Sequence, residues 1–473
     1  MLTKLKAKTE NSVPSVEDES ASTSAVVSLL PIVLPLLLVY ISNQWSRSSI
    51  YYLQDFSTTG TATAFTAMNV DIQFTEAQYG ALASVAFTAL FSISSIFAGG
   101  LADRFDRKLL TVGATLVWSA ATFATAISVD FDQVLAARIL MGLACAFCTP
   151  SAYTLIRDLV SKERASLANS LYGSGVYLGG GLSSLSILLD GLIGWRSTCE
   201  FIAGFGLISA ITATALLPSD PKTLLDDGKK QETKSNVIER TQQGDQPQSP
   251  FSTVGEILSI PRVQWLFAGS FLRFCSGLCI GVWAAPYYKL AFPDDASSYA
   301  VVNALIVGLC GVASAVFGGY LADKSAIASG KDENAGRLVV PIVGSLLAVP
   351  AWYLTVHASS FDNAMLWLAI EYLVAECWFG PTVAVLQSEV GKQQGGTAQG
   401  LFTLTGAIGN FAPSLLGILY GQQSSMSDSL NNSEILSNLL ANAVCVGYAL
   451  SAACFVLSAS TSTTKDQGNQ ISI

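Results

Sequence analysis

Arg47, Arg138, Arg273, Glu371 and Glu376 fall inside long apolar stretches of the chain. A charge taken out of water costs several kcal/mol unless something compensates it, so residues of these types in such places point to chemistry. An unpaired guanidinium attracts a carboxylate, sulfate or phosphate and holds it through two parallel N–H bonds. A carboxyl group held away from water can take up and release a proton near neutral pH.

Other chemistry is poorly supplied. The nine cysteines lie in or at the ends of apolar runs, and "CAFC" and "CSGLC" are helical neighbours in apolar surroundings. They read as small packing residues, with no metal site and no disulfide. His357 is the only histidine, and without a His or Cys partner it supports neither zinc binding nor nucleophilic catalysis. No Gly-x-x-x-x-Gly-Lys loop is present to cradle a nucleotide phosphate. The chain therefore reads as neither an enzyme nor an ATP-driven pump, and no cofactor is implied.

The elements that must hold these charges follow from composition. Of 473 residues, 51% are hydrophobic and 12% charged, and the mean hydropathy is +0.47, whereas a soluble domain carries about 25% charged residues. The bilayer is the expected solvent. With a net charge of -9 and no basic face, nucleic acid is excluded as a partner.

A helix needs roughly 20 apolar residues to cross the hydrocarbon core. Runs of that kind occupy 28–53, 77–102, 109–128, 133–158, 166–190, 197–217, 263–289, 299–322, 338–357, 363–388, 397–420 and 435–459. They are called spans 1 to 12 below. The most polar stretch lies between spans 6 and 7 and has the composition of a flexible linker. The expected organisation is a disordered cytoplasmic tail at 1–24, a six-helix bundle at 25–217, a cytoplasmic linker at 218–261, a second bundle at 262–460 and a cytoplasmic tail at 461–473. With both termini inside, all but five of the 25 Lys and Arg fall on the inner face, as the positive-inside rule requires. The "NNS" sequon then puts Asn431 outside, open to glycosylation.

Depth decides which charges can meet. At about 1.5 Å per residue, Arg47 and Arg138 both lie roughly 8–9 Å below the outer surface. Arg273 is near the midplane, and Glu371 stands close to its level. Glu376 lies five residues deeper, a turn of roughly 140° about the helix axis, so the two acids face different ways. One is expected to meet Arg273 and the other a neighbouring helix. Aromatic and polar residues complete a candidate lining: Asn43, Tyr51, Tyr153, Tyr177, Trp283, Tyr287, Tyr372, Trp378, Gln387 and Asn410.

"GGLADRFDRK", between spans 2 and 3, packs Asp103, Arg104, Asp106, Arg107 and Lys108 into six positions. "GGYLADK", with Gly319, Asp323 and Lys324, repeats the pattern at the inner end of span 8. A Gly-rich helix end followed by Asp and a cation, once per six spans, is what an internally duplicated transporter shows. The glycines of both strings, Gly99 and the pair Gly318 and Gly319 among them, would let helices approach. The charges would hold the halves together in one state and release them in another.

At these residues the chain resembles the major facilitator superfamily. The resemblance extends to "ARILMGLACAFCTPSAY" in span 4, "FTEAQYGAL" entering span 2 and "GLIGWR" entering span 6. "ECWFGPTVAVLQ" and "GTAQGLFTLTGAIGNFAPSLLGILYG" are similar to spans 10 and 11 of Spinster-like carriers. Asp106 stands where the loop pattern usually has Gly, Ser46 where those carriers usually have Asp, and Cys145 where they have Glu. The resemblance implies an all-α membrane protein with twelve transmembrane helices in two pseudo-symmetric six-helix bundles.

The expected function is alternating-access transport, secondary active or facilitative, of a small organic anion or an anionic-headed amphiphile. Arg47, Arg138, Arg273, Asn43, Tyr153, Trp283, Tyr372 and Trp378 are candidates for substrate contact and Glu371 and Glu376 for coupling. Gly99, Asp103, Arg104, Arg107, Lys108, Gly319, Asp323 and Lys324 are the gating candidates. Expected partners are the bilayer, a small-molecule substrate, and a proton or counter-anion; a monomer is expected. A neutral, sugar-like substrate with the arginines as gating pairs, and a transporter-derived receptor, are the alternatives.

Overall fold

The computed structural model describes residues 16–56, 66–160, 165–218, 250–330, 332–390, 394–426 and 432–461, with the backbone alone at 16–30, 96, 99–100, 102–104, 157, 165–167, 170, 250–252 and 396. Helix dominates throughout, and no strand occurs among the described residues. Ten helical stretches among them are long and apolar enough to cross a membrane. One, Leu171–Leu216, is broken at Gly194, whose φ of 80° lies in the region that glycine tolerates without strain. The break separates span 5 from span 6. Span 1 is the 33-residue helix Val16–Ser48. That helix begins nine residues before the boundary set at 25.

Local signals fix several helix starts. Thr75 and Gln78 form a reciprocal capping box at the entry to span 2. Asp130 accepts from the Gln133 N–H at the start of span 4 and Asp332 from the Ala335 N–H at the start of span 9. Asp106, the departure from the loop pattern, accepts from the Leu109 N–H at 2.9 Å and so caps the helix Arg107–Ile127. Along that helix Thr111, Thr115, Ser119, Thr122 and Thr125 each donate to the carbonyl four residues back. A buried polar stripe is thereby satisfied without water.

Two ends of the molecule are distinguished by what they bind. At the linker end, the Lys108 Nζ donates to Leu217 O, and Arg262 joins Asp332, Glu389 and the Ser458 carbonyl. At the far end the halves meet. Tyr79 donates to Val282 O at 2.6 Å, and Ser84 and Ser414 pair at 2.6 Å. Lys289 donates to Tyr52 O and Gln54 O, while Ser184 donates to Ala300 O. Spans 2 and 11 touch through glycine: a Cβ on Gly417 would stand 2.8 Å from Glu76 O, and one on Gly80 3.1 Å from Pro413 O. The absence of a side chain at Gly80 and Gly417 lets the two helix backbones come together there.

Candidate functional site

Arg47 occupies the last turn of the span 1 helix, and Arg138 the middle of Phe131–Cys145. Arg138 is buried and donates from Nη2 to Arg47 O at 2.8 Å and from Nε to Leu82 O at 3.2 Å, with Nη1 3.3 Å from Met141 Sδ. Leu82 belongs to a π-helical turn, Ala81–Val85, in which the i to i+5 pattern disturbs the regular ladder and leaves a carbonyl open to a side chain. Arg47 is half-buried, its guanidinium 4.8 Å above the Phe87 ring and 6.0 Å from Phe91. Arg138 also reaches Phe87, at 5.5 Å. Two cations therefore share one aromatic face, and among the described residues neither has a carboxylate within ion-pair distance. Nearby, the Asn43 Nδ2 and the Ser46 hydroxyl are buried without a hydrogen-bond partner. Two cations beside unspent polar groups are suited to receive a negative group.

The second half is built differently. Span 10 breaks between the helices Phe361–Ala375 and Phe379–Glu389 through a 3-10 turn, Glu376–Trp378, with Pro381 just beyond. Arg273, buried in span 7, uses the break by donating from Nη2 to Ala375 O at 2.8 Å. The same nitrogen is 3.9 Å from Glu376 Oε1, and the guanidinium lies 4.3 Å over Tyr448 and 5.4 Å over Trp378. Tyr448 in turn donates to Glu371 Oε1. Glu371 is 2% exposed, whereas the Glu376 side chain is 33% exposed. The set is a linked Arg–Glu–Tyr–Glu group with one carboxylate sealed and the other open.

Comparison with known proteins decides what this architecture is. Residues 47–413 match the family described as Major Facilitator Superfamily. The chain belongs to the major facilitator superfamily. It is similar to an MFS-type efflux pump of Mycolicibacterium smegmatis, 22% identical over 76% of this chain and 78% of that protein. It also resembles a probable sulfoacetate transporter, SauU, of Cupriavidus necator, 23% identical over 78% of this chain and 85% of that one. Among solved structures, a bacterial homologue of the human lysosomal transporter Spinster, inward-facing and unoccupied, superposes with a TM-score of 0.66 at 18% identity, covering 90% of this chain and 95% of that one. This facilitator is a multi-pass membrane transporter and not an enzyme, and small molecules are its substrates.

Within this facilitator the other predicted residues separate into groups. Tyr153 is 40% exposed and lies edge-on to Tyr172, which stacks on Tyr40. Tyr372 shares a small cavity between the halves with Tyr52, Tyr299 and Asn303. Trp378 packs edge-on against Phe274 inside the second bundle. Trp283 is fully buried, donates to Pro413 O and meets the Tyr79 ring edge-on, which puts it in the far-end closure and away from an open wall.

Among the described residues, several of the gating candidates have partners within their own half. Arg107 donates to Asp158 at 2.6 Å and to Thr154 O, both in the first bundle, and Arg337 reaches Asp323 at 3.4 Å in the second. Lys324 lies over the Tyr320 ring. Of the two glycines in "GGYLADK", Gly318 makes the close approach and Gly319 does not. A Cβ on Gly318 would come 2.3 Å from Cys377 Cβ, while one on Gly319 would meet nothing within 4 Å. The reason is helix phase, since adjacent residues point about 100° apart. The side chains of Asp103 and Arg104, the surroundings of Gly99, and Asn431 lie outside the described residues.

Sequence reasoning missed the closure itself. Tyr79, Gln54, Lys289, Ser184 and Asn303 form it, and of these Lys289 carried the one available signal, a Lys at the end of an apolar run. Nothing in the sequence pointed to Tyr448 as the bridge between Arg273 and Glu371.

Proposed function

We propose that this transporter moves a small organic anion, or an amphiphile with an anionic head, by alternating access, with Arg47 as the cation that meets the negative group. The observation that carries the reading is the pair of guanidiniums on Phe87 with no carboxylate within reach among the described residues. Arg138, which spends its donors on the carbonyls of Arg47 and Leu82, positions Arg47 and supports the local positive charge. That shifts the leading role from Arg138 to Arg47. The similarity to a probable sulfoacetate transporter supports the same substrate class.

The far-end closure supports assigning this conformation as one that opens at the linker end, and the excess of Lys and Arg there supports reading that end as cytoplasmic. Glu376, open beside Arg273, and Glu371, sealed behind Tyr448, are the proposed coupling pair. The test is uptake into proteoliposomes from a panel of labelled sulfonates, carboxylates, sugars and lysolipids. A sulfonate or carboxylate should be accumulated by the native protein and lost in Arg47→Ala. Uptake of a sugar that survives Arg47→Ala unchanged would overturn the reading.

A further inference from the structure

Tyr177 belongs to span 5 of the first half, yet its ring lies against span 8 of the second. A Cβ on Gly311 would come 2.7 Å from Tyr177 Cε1 and 2.8 Å from Cδ1, so the ring fills the space that a side chain at 311 would need. Gly311 directly follows the π-helical turn Ile306–Cys310. The same contact continues through Gly181, where a Cβ would stand 3.1 Å from Ala304 O. The other face of this stretch of span 5 rests on span 1: a Cβ on Gly175 would come 2.9 Å from Tyr40 Cδ1, and one on Gly179 2.5 Å from Gln44 Cβ. Gln44 is one turn before Arg47. Tyr177 therefore stands between the helix that carries Arg47 and the second half. Tyr177 and Glu376 both fall near the middle of their spans, and the Glu376 carboxylate acts on Tyr177 electrostatically across the interface. The other ionisable groups in reach of Glu376 are Arg273 from span 7 and Glu371, Tyr372 and Cys377 on span 10 itself, with Tyr448 of span 12 behind Glu371. Among the described residues, Tyr177 alone in this set comes from the first half.

We propose that Tyr177 is a positioning residue for coupling, the group of the first half that Glu376 meets while its carboxylate is ionised. The inference rests on the reading of Glu376 as a coupling acid. A phenol O–H donates to a carboxylate and favours its charged form, whereas a protonated Glu376 carries a donor of its own and gains less from the contact. Proton uptake on Glu376 then loosens the hold of the second half on the stretch of span 5 that is packed against span 1. The protonation state of Glu376 thereby reaches the helix of Arg47 with no change in either arginine of the first half. Tyr177 keeps its own proton throughout. Gly311 belongs to the same arrangement, because only a residue without a side chain leaves room for the ring.

The experiment is an infrared pH titration of the purified full-length protein in nanodiscs without organic substrate, in which the Glu376 carboxyl band is the one that Glu376→Gln removes. Tyr177→Phe keeps the ring against Gly311 and deletes only the hydroxyl. It should raise the titration midpoint of that band by about one pH unit, the worth of one hydrogen bond to a charged group. Gly311→Ala, which displaces the ring, should move the midpoint in the same direction. A purely structural role for Tyr177 would leave the midpoint where it is in Tyr177→Phe, and that result would overturn the proposal, as would the absence of any titrating band that Glu376→Gln removes. The titration needs no substrate, so its failure leaves the coupling assignment standing. Gradient-driven accumulation that survives Glu376→Gln overturns that assignment and the proposal with it.

Discussion

The two halves treat their membrane-embedded arginines in opposite ways. In the first, Arg47 and Arg138 both lie over the Phe87 ring, Arg138 donates to two backbone carbonyls and meets a thioether, and no carboxylate stands within ion-pair distance of either among the described residues. In the second, Arg273 stands beside Glu376 and is linked through Tyr448 to Glu371. A cation left without an internal counter-charge gains most from an external anion, whereas one already compensated responds mainly to a change in its own partners. The proposed function divides along this difference, with recognition in the first half and coupling in the second.

Arg47→Ala gives the largest effect if that division is right. Removing a charge-assisted contact should weaken binding of the transported anion by about 10–100-fold, measured by equilibrium binding in nanodiscs, and Arg273→Ala should weaken it far less. Equal losses in the two variants would break the comparison.

Glu371→Gln comes next. Exchange of labelled for unlabelled substrate should persist, while accumulation driven by an imposed pH gradient should fall to the level reached without one. Gradient-driven accumulation that survives both Glu371→Gln and Glu376→Gln would place coupling elsewhere.

A smaller shift is expected from Lys289→Met, which removes two contacts that cross between the halves at the far end. The gain from two hydrogen bonds of a charged donor is largely offset by the cost of burying the ammonium, and a net of about 1–2 kcal/mol corresponds to roughly a 5–30-fold change in the balance of conformations. Spin labels at Val70 and Asp294, both exposed at that end, should report a longer distance population. An unchanged distribution would show that the glycine contacts alone hold the closure.

The smallest effect belongs to Asp332. Partial burial pushes its carboxyl up, and the hydrogen bonds from Arg262 and from the Ala335 N–H more than reverse this, leaving it below the usual carboxylate range. Such a group adds stability above its unfolded pKa of about 3.9 and loses it as the pH falls through the lower folded value. Asp332→Asn should therefore cost about 1 kcal/mol or less at neutral pH, and the gap between variant and native protein should close on acidification below about pH 4. A gap that is constant across that range would remove the ion pair as its cause.

The helical class, the succession of apolar runs and the site candidates were legible because the bilayer leaves little choice. A segment without water must pair its own backbone, so length and apolarity alone announce a helix. The caps at Thr75 with Gln78, and at Asp130, rest on neighbours a turn away in the chain. The start at Val16 was not legible, because acidic residues that suit a helix N-terminus also suit a solvated tail.

What the sequence alone determined was which residues carry charge into apolar surroundings and roughly how deep each sits, for depth follows from a fixed rise per residue. Only the tertiary structure decided which of them meet. Rotation about a helix axis and the irregular turns at Ala81–Val85 and Glu376–Trp378 choose the partners, and neither is set by the residues of one helix. Arg138 was thus drawn to backbone carbonyls and Arg47 left beside the aromatic face. Of the adjacent Gly318 and Gly319 only the first bears the close contact, and Tyr79, unremarkable in its own span, became part of the closure because the opposite half places Val282 O within 2.6 Å of its hydroxyl.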